Sequence, residues 1–131
     1  MMRFISLLFL TSSLLFSAVT SADDAEKQKA VYLPLNPSLI ANVQGTARYA
    51  RCDVQLLVNS EDNIADVRLH APAIRHELLL LLSDQKGEEL MTPQGKEKFR
   101  QSALAAVGKV IKEQTGVNSI KDLFFTSFFV Q

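Results

Sequence analysis

Residues 47–58 read Ala-Arg-Tyr-Ala-Arg-Cys-Asp-Val-Gln-Leu-Leu-Val, and their alternation decides the fold. Ala50, Cys52, Val54, Leu56 and Val58 fall on one side, while Tyr49, Arg51, Asp53 and Gln55 fall on the other. A period of two belongs to a β-strand with one buried face. Just upstream, Gln44-Gly45-Thr46 carries turn chemistry. Residues 31–43 (VYLPLNPSLIANV) are apolar enough to supply the other arm of a hairpin. Pro34 and Pro37 cannot donate to a sheet ladder, so the first part of that arm is expected at an edge or irregular. Ser38 to Val43 is the better strand.

Downstream the period changes. Asn59-Ser60-Glu61-Asp62-Asn63 offers a turn and several helix caps. Ile64, Val67, Ala71, Ile74, Leu78 and Leu81 then recur at spacings of three and four, which places them on one helical stripe. Pro72 sits inside the stripe and removes a backbone bond. The register survives the proline, which favours one long kinked helix. The other reading is a helix that begins at Pro72, with 64–69 as a short strand. Ser83 to Met91 reads as a loop. Thr92-Pro93 opens a second helix, with threonine as N-cap and proline where its missing N–H costs nothing. Its inner face is Phe99, Ala103, Ala106, Val107, Val110 and Ile111, and Gly116 is placed to cap its end. Leu123 to Gln131 closes the chain with Phe124, Phe125, Phe128 and Phe129. Apolar on both faces, it reads as a central strand covered on both sides, or as a strand covered on one side by a partner. The order strand, strand, helix, helix, strand predicts an α+β fold, a small antiparallel sheet packed by two helices.

The chain opens Met1-Met2-Arg3 and runs apolar from Phe4 to Val19. Ala18-Val19-Thr20-Ser21-Ala22 is a small-residue exit, followed by Asp23-Asp24. This is a signal-peptide plan, with cleavage expected after Ala22. A retained anchor competes with it, although a spanning helix needs about 20 apolar residues and this run is shorter. Residues 1–22 are therefore a signal peptide or short signal anchor, 23–31 a polar lead-in, and 32–131 the folded domain. Membrane association, if any, runs through residues 4–19.

Composition excludes several functions. Fourteen basic residues face fourteen acidic ones, so there is no basic stripe for nucleic acid. Cys52 is the single cysteine and cannot close an internal disulfide. Its place in the strand alternation buries it, and a buried thiol is inert. His70 and His76 are six residues apart and point about 120° away from each other on a helix. Asp66 and His70 share a face, but two ligands do not make a metal site. Phosphate-cradling glycine loops, a GxSxG elbow and HExxH are all missing. Glu88 and Glu89 are adjacent and read as solvated. No catalytic residue, cofactor or metal is expected.

Several ordered pieces carry a family resemblance. Tyr32-Leu33 through Asn42-Val43, then Arg48-Tyr49 and Asp53-Val54-Gln55-Leu56-Leu57-Val58, resemble the first two strands of the FliL family of flagellar basal-body-associated proteins. Pro72-Ala73-Ile74-Arg75 and Leu81-Leu82-Ser83 resemble its first helix and exit. Leu90, Thr92, Gly95, Lys96, Glu97 and Arg100 resemble its L-x-T-x-x-G-K-E-x-x-R stretch. Phe125, Thr126, Phe128 and Gln131 resemble its F-T-x-F-x-x-Q ending. The resemblance implies a non-enzymatic protein with a stomatin-like (SPFH-type) domain, placed in the periplasm at the inner membrane. It implies a homo-oligomeric ring that meets flagellar stator and basal-body proteins and supports rotation and motility. The motif residues are implied to be structural or assembly positions. The short N-terminal run departs from the charged stub and full transmembrane helix usual in the family. It leaves open a periplasmic adaptor of the same fold with no motor role.

Overall fold

A computed structural model describes residues 29–131. The leader at 1–22 and most of the polar lead-in lie outside the described residues. Three strands form one sheet in the order β1 (Val31–Asn42), β2 (Tyr49–Val58), β3 (Ile120–Val130), with both neighbouring pairs antiparallel. Between β2 and β3 the chain forms a 3₁₀ turn at Glu61–Asn63. Four helices follow: α1 (Ile64–Leu69), α2 (Ala71–Ser83), α3 (Gly87–Leu90) and α4 (Pro93–Thr115). The architecture is α+β.

The alternation of β2 is realised in full. Ala50, Cys52, Val54, Leu56 and Val58 are all buried and face α2 and α4. Leu33, Leu35 and Leu39 of β1 and Ile120 and Leu123 of β3 complete the sheet's side of the core. Val67, Ile74, Leu78, Leu82, Phe99, Val107 and Ile111 supply the helical side.

The prolines of β1 act as expected, but the strand is longer than the better half alone. It runs unbroken in direction from Val31 to Asn42, with a register slip between Leu35 and Leu39 that takes up Asn36, Pro37 and Ser38. This bulge lets Leu35 and Leu39 both face inward, opposite Val54 and Cys52. Side chains hold it in place. Ser38 Oγ donates to Asp53, Arg51 donates to Ser38 Oγ at 3.2 Å, and Arg75 of α2 donates to the Pro37 carbonyl.

The kinked-helix reading holds in outline, and residues 64–69 are helical rather than extended. The helix is interrupted at His70, and Pro72 occupies the first turn of α2. Proline has no N–H and crowds the carbonyl four residues back, so the chain reseats itself just before it. In the last turn of α2 the stripe drifts. Leu82, not Leu81, is fully buried, and Leu81 is half-buried. The loop at 83–91 contains one short helix, α3, which sequence reading missed. Its Leu90 plugs the core, and its Glu88 accepts hydrogen bonds from the Thr46 N–H at 2.6 Å and from the Thr46 hydroxyl. Glu88 is thus a tie to the β1–β2 turn rather than a free solvated acid.

The C-terminal strand requires the main correction. It is an edge strand, and β2 is the central one. The β1–β2 hairpin occupies one side of β2, β3 takes the other, and no fourth strand is present among the described residues. The helices cover one face of the sheet. On the other face Tyr32, Ile40 and Phe129 stay more than half exposed, and Phe124 lies beside Tyr32 with ring centroids 6.0 Å apart. The doubly apolar composition of β3 therefore does not come from burial on both sides. One set of its phenylalanines packs under α4 and the other faces out.

Candidate functional site

The two family-like motifs, one at the start of α4 and one on β3, meet in space. Thr92 begins the arrangement. Its backbone is extended, and its hydroxyl accepts from the Gly95 N–H at 3.0 Å while donating to the Glu89 carbonyl at 2.8 Å. One side chain thus caps α4 and closes α3. Gly95 is required by contact. A Cβ there would lie 1.8 Å from the Glu89 carbonyl oxygen, a backbone atom that no rotamer can move. The spacing L-x-T-x-x-G is explained by these contacts: Leu90 anchors, Thr92 caps, and Gly95 lets the first turn close over Glu89.

One turn on, Arg100 reaches across to β3. Its Nη2 and Nε donate to the two oxygens of Glu97 at 2.7 and 2.8 Å. Its Nη1 donates to Asp122 at 2.7 Å and to the Leu123 carbonyl at 3.1 Å. The planar guanidinium makes four bonds to four oxygen atoms at once, one more than the three N–H groups of a lysine allow. The bonds from Arg100, followed by one from Gln101, lower the Glu97 carboxyl from 4.5 to about 2. The Arg100 guanidinium is raised in turn. Bonds from Thr46 hold the Glu88 carboxyl at about 2.

Above this ion cluster lies an aromatic one. Phe99 is buried and stacks on Phe125, with centroids 5.4 Å apart and planes 4° from parallel. Phe128 meets both edge-on, at 6.0 Å from Phe99 and 5.0 Å from Phe125. The Lys96 ammonium sits 5.5 Å from the Phe128 ring centroid. A shallow groove of about 440 Å³ runs between Pro93, Lys96, Glu97 and Arg100 of α4 and Phe124, Phe125 and Phe128 of β3.

The remaining motif residues do not join this corner. Gln131 locks the end of β3. Its carbonyl accepts from the N–H groups of Arg48 and Tyr49 at 2.7 and 3.0 Å, its N–H donates to the Tyr49 carbonyl at 3.0 Å, and its side-chain carbonyl accepts from the Tyr49 hydroxyl at 2.8 Å. This explains why Arg48-Tyr49 and the final glutamine occur together. Thr126 lies in a register slip, since Asp53 pairs with Ser127 and Val54 with Phe125. Pro72, Leu82 and Ser83 belong to α2. Pro72 starts it, Leu82 is buried, and Ser83 Oγ donates to the Leu80 carbonyl at 2.8 Å.

Sequence reading missed Asp122 as the partner of Arg100. The one acid in β3, just ahead of the apolar run Leu123-Phe124-Phe125, was the available signal. It also missed Arg75 as the tie to the β1 bulge, for which the sequence carries no signal.

Cys52 is fully buried, and desolvation followed by the charge of Asp53 pushes its thiol up to about 12. His70 lies at the α1–α2 joint and His76 is exposed on α2. Among the described residues, no group of three or more His, Cys, Asp or Glu could hold a metal ion. No helix among them is long and apolar enough to cross a membrane.

A three-stranded sheet with helices on one face, and with paired motifs spent on packing and bonding a corner, defines a small one-sided α+β module. Residues 32–131 match the family described as flagellar basal body-associated protein FliL, and the chain belongs to that family. It is 24% identical over 109 residues to the flagellar protein FliL of Aquifex aeolicus (strain VF5), an alignment covering 82% of this chain and 65% of that protein. The aligned chain thus spans just under two-thirds of that relative. The family is one of flagellar accessory proteins and not an enzyme family.

Proposed function

We propose that this chain is a non-enzymatic accessory of the flagellar basal body that self-associates on the periplasmic side of the inner membrane. In this role it supports stator function, rotation and motility. The observation that carries the reading is the uncovered sheet face, where Tyr32, Ile40 and Phe129 are each more than half exposed. Large apolar side chains gathered on one face favour contact with another protein surface. Membership of a basal-body family supplies the setting. The domain is read as stomatin-like in architecture, consistent with an assembling module. Residues 1–22 act as the export signal, cleaved after Ala22. If they are retained, residues 4–19 hold the same domain at the same membrane face.

Isolation of basal bodies from cells carrying a tagged chain tests this reading. The tagged chain should co-purify with basal-body and stator proteins, and it should migrate as an oligomer after crosslinking. A monomeric chain recovered only in fractions free of flagellar components would favour a periplasmic adaptor with no motor role.

A further inference from the structure

The two edges of the sheet are built differently. The β1 edge carries Pro34, Pro37 and a bulge, the devices that stop a strand from pairing further. The β3 edge carries no proline and no charged residue from Phe124 to Val130, and its own register slip, at Thr126, leaves Ser127 to Val130 in regular pairing. Its start is closed. The Leu123 carbonyl is taken by Arg100, and the Leu123 N–H donates to Asp122 at 2.8 Å. From Ser127 onward the edge is open and regular. Tyr49 and Gln131 exchange backbone bonds, so by the alternation of an antiparallel ladder Phe128 and Val130 aim theirs outward. Among the described residues, nothing accepts or donates to them there. The groove against α4 runs beside this open stretch, and Lys96 stands over it with no carboxylate partner among the described residues.

We propose that the β3 edge from Ser127 to Val130 receives an extended strand from a different protein, one with apolar residues at alternate positions and a carboxylate opposite Lys96. Backbone bonds to Phe128 and Val130 supply affinity, and the groove and Lys96 supply selectivity. A second copy of β3 is the poorer occupant. Pairing with itself brings in only uncharged residues from 123 to 131, while Glu97 and Asp122 are already spent on Arg100. Lys96 would then face no acidic side chain from that strand. This inference stands whether or not the chain acts at the motor, because it rests on the β3 edge, the groove beside it and Lys96.

The test is selection of a phage-displayed library of random nine-residue peptides against the full chain in dodecyl maltoside. Affinities of the synthetic winners are then measured by fluorescence polarisation. The winners should alternate apolar residues and carry Asp or Glu at one position. Val130→Pro, which removes one outward N–H, should weaken them at least tenfold. Lys96→Glu should also weaken them at least tenfold and should shift a fresh selection toward Lys or Arg. Lys96 lies on the surface of α4, so this second variant reads out selectivity even if Val130→Pro fails to fold. Failure to enrich any peptide would overturn the proposal, as would winners indifferent to Lys96→Glu. A full-chain dimer that Val130→Pro dissolves would also overturn it and assign the edge to a second copy.

Discussion

Replacing Gly95 by alanine sets two forces against each other. Helix propensity alone favours alanine over glycine by about 1 kcal/mol. The structure opposes it. The new Cβ would meet the Glu89 carbonyl oxygen at 1.8 Å and its carbon at 2.5 Å. An ordinary C···O contact is about 3.3 Å, so the first turn of α4 must withdraw by about 1.5 Å. Withdrawal breaks the 3.0 Å bond from the Gly95 N–H to Thr92 Oγ1. Loss of such a cap costs about 1 kcal/mol, and forced backbone shifts cost about 1–3 kcal/mol. After subtracting the propensity gain, the expected loss is about 1–3 kcal/mol. In urea this lowers the unfolding midpoint by roughly 1 M. Gly108→Ala is the control, because the three atoms nearest its Cβ all belong to the Asn118 side chain, the amide nitrogen at 2.7 Å, and not to the backbone. A Gly95→Ala midpoint equal to or above that of the parent protein would refute the steric account of the motif.

Other substitutions separate the remaining contacts. Phe99→Ala empties the centre of the Phe125–Phe128 cluster and should cost about 3–5 kcal/mol by urea titration. Arg100→Lys should destabilise nearly as much as Arg100→Met, since three N–H groups on a compact ammonium cannot replace the four bonds that the planar fork makes to Glu97, Asp122 and the Leu123 carbonyl; full rescue by lysine would contradict this. Glu88 and Glu97 both titrate lower in the folded chain than their ordinary 4.5, near 2. Their contribution to stability is present above pH 4.5 and is lost as pH falls toward 2, so the Glu88→Gln, Glu97→Gln double variant should flatten that part of a stability-versus-pH curve. The Cys52 thiol, held at about 12 by burial, should react with Ellman's reagent only at the rate of unfolding; fast labelling of the native chain would contradict its burial.

Much of the fold was legible because its signals were local. The period-two run at 50–58 and the Thr92-Pro93 start each depend on a few neighbouring residues, and each appears where it was expected. So does the Gly116 cap, whose φ of 86° suits glycine. The position of β3 was not local. A strand apolar on both faces looks the same in sequence whether a partner or a second layer covers it, and only the pairing order shows that β3 lies at an edge. The short helix at Gly87–Leu90 was missed because four residues are too few to display a period. The motif positions were visible, but not what joins them. Arg100 and Asp122 sit in different elements, as do Tyr49 and Gln131. The chain's one free thiol and its two histidines carried the opposite hazard, being chemically eye-catching while Cys52 is buried in the sheet's core face and His76 lies exposed on α2.

The speed of single flagellar motors driving a large load, recorded in cells with and without this chain, tests the central claim most directly. Removal of the chain should lower speed at high load, and expression of the intact chain should restore it. Equal speed at every load in both strains would contradict a role in supporting the stator.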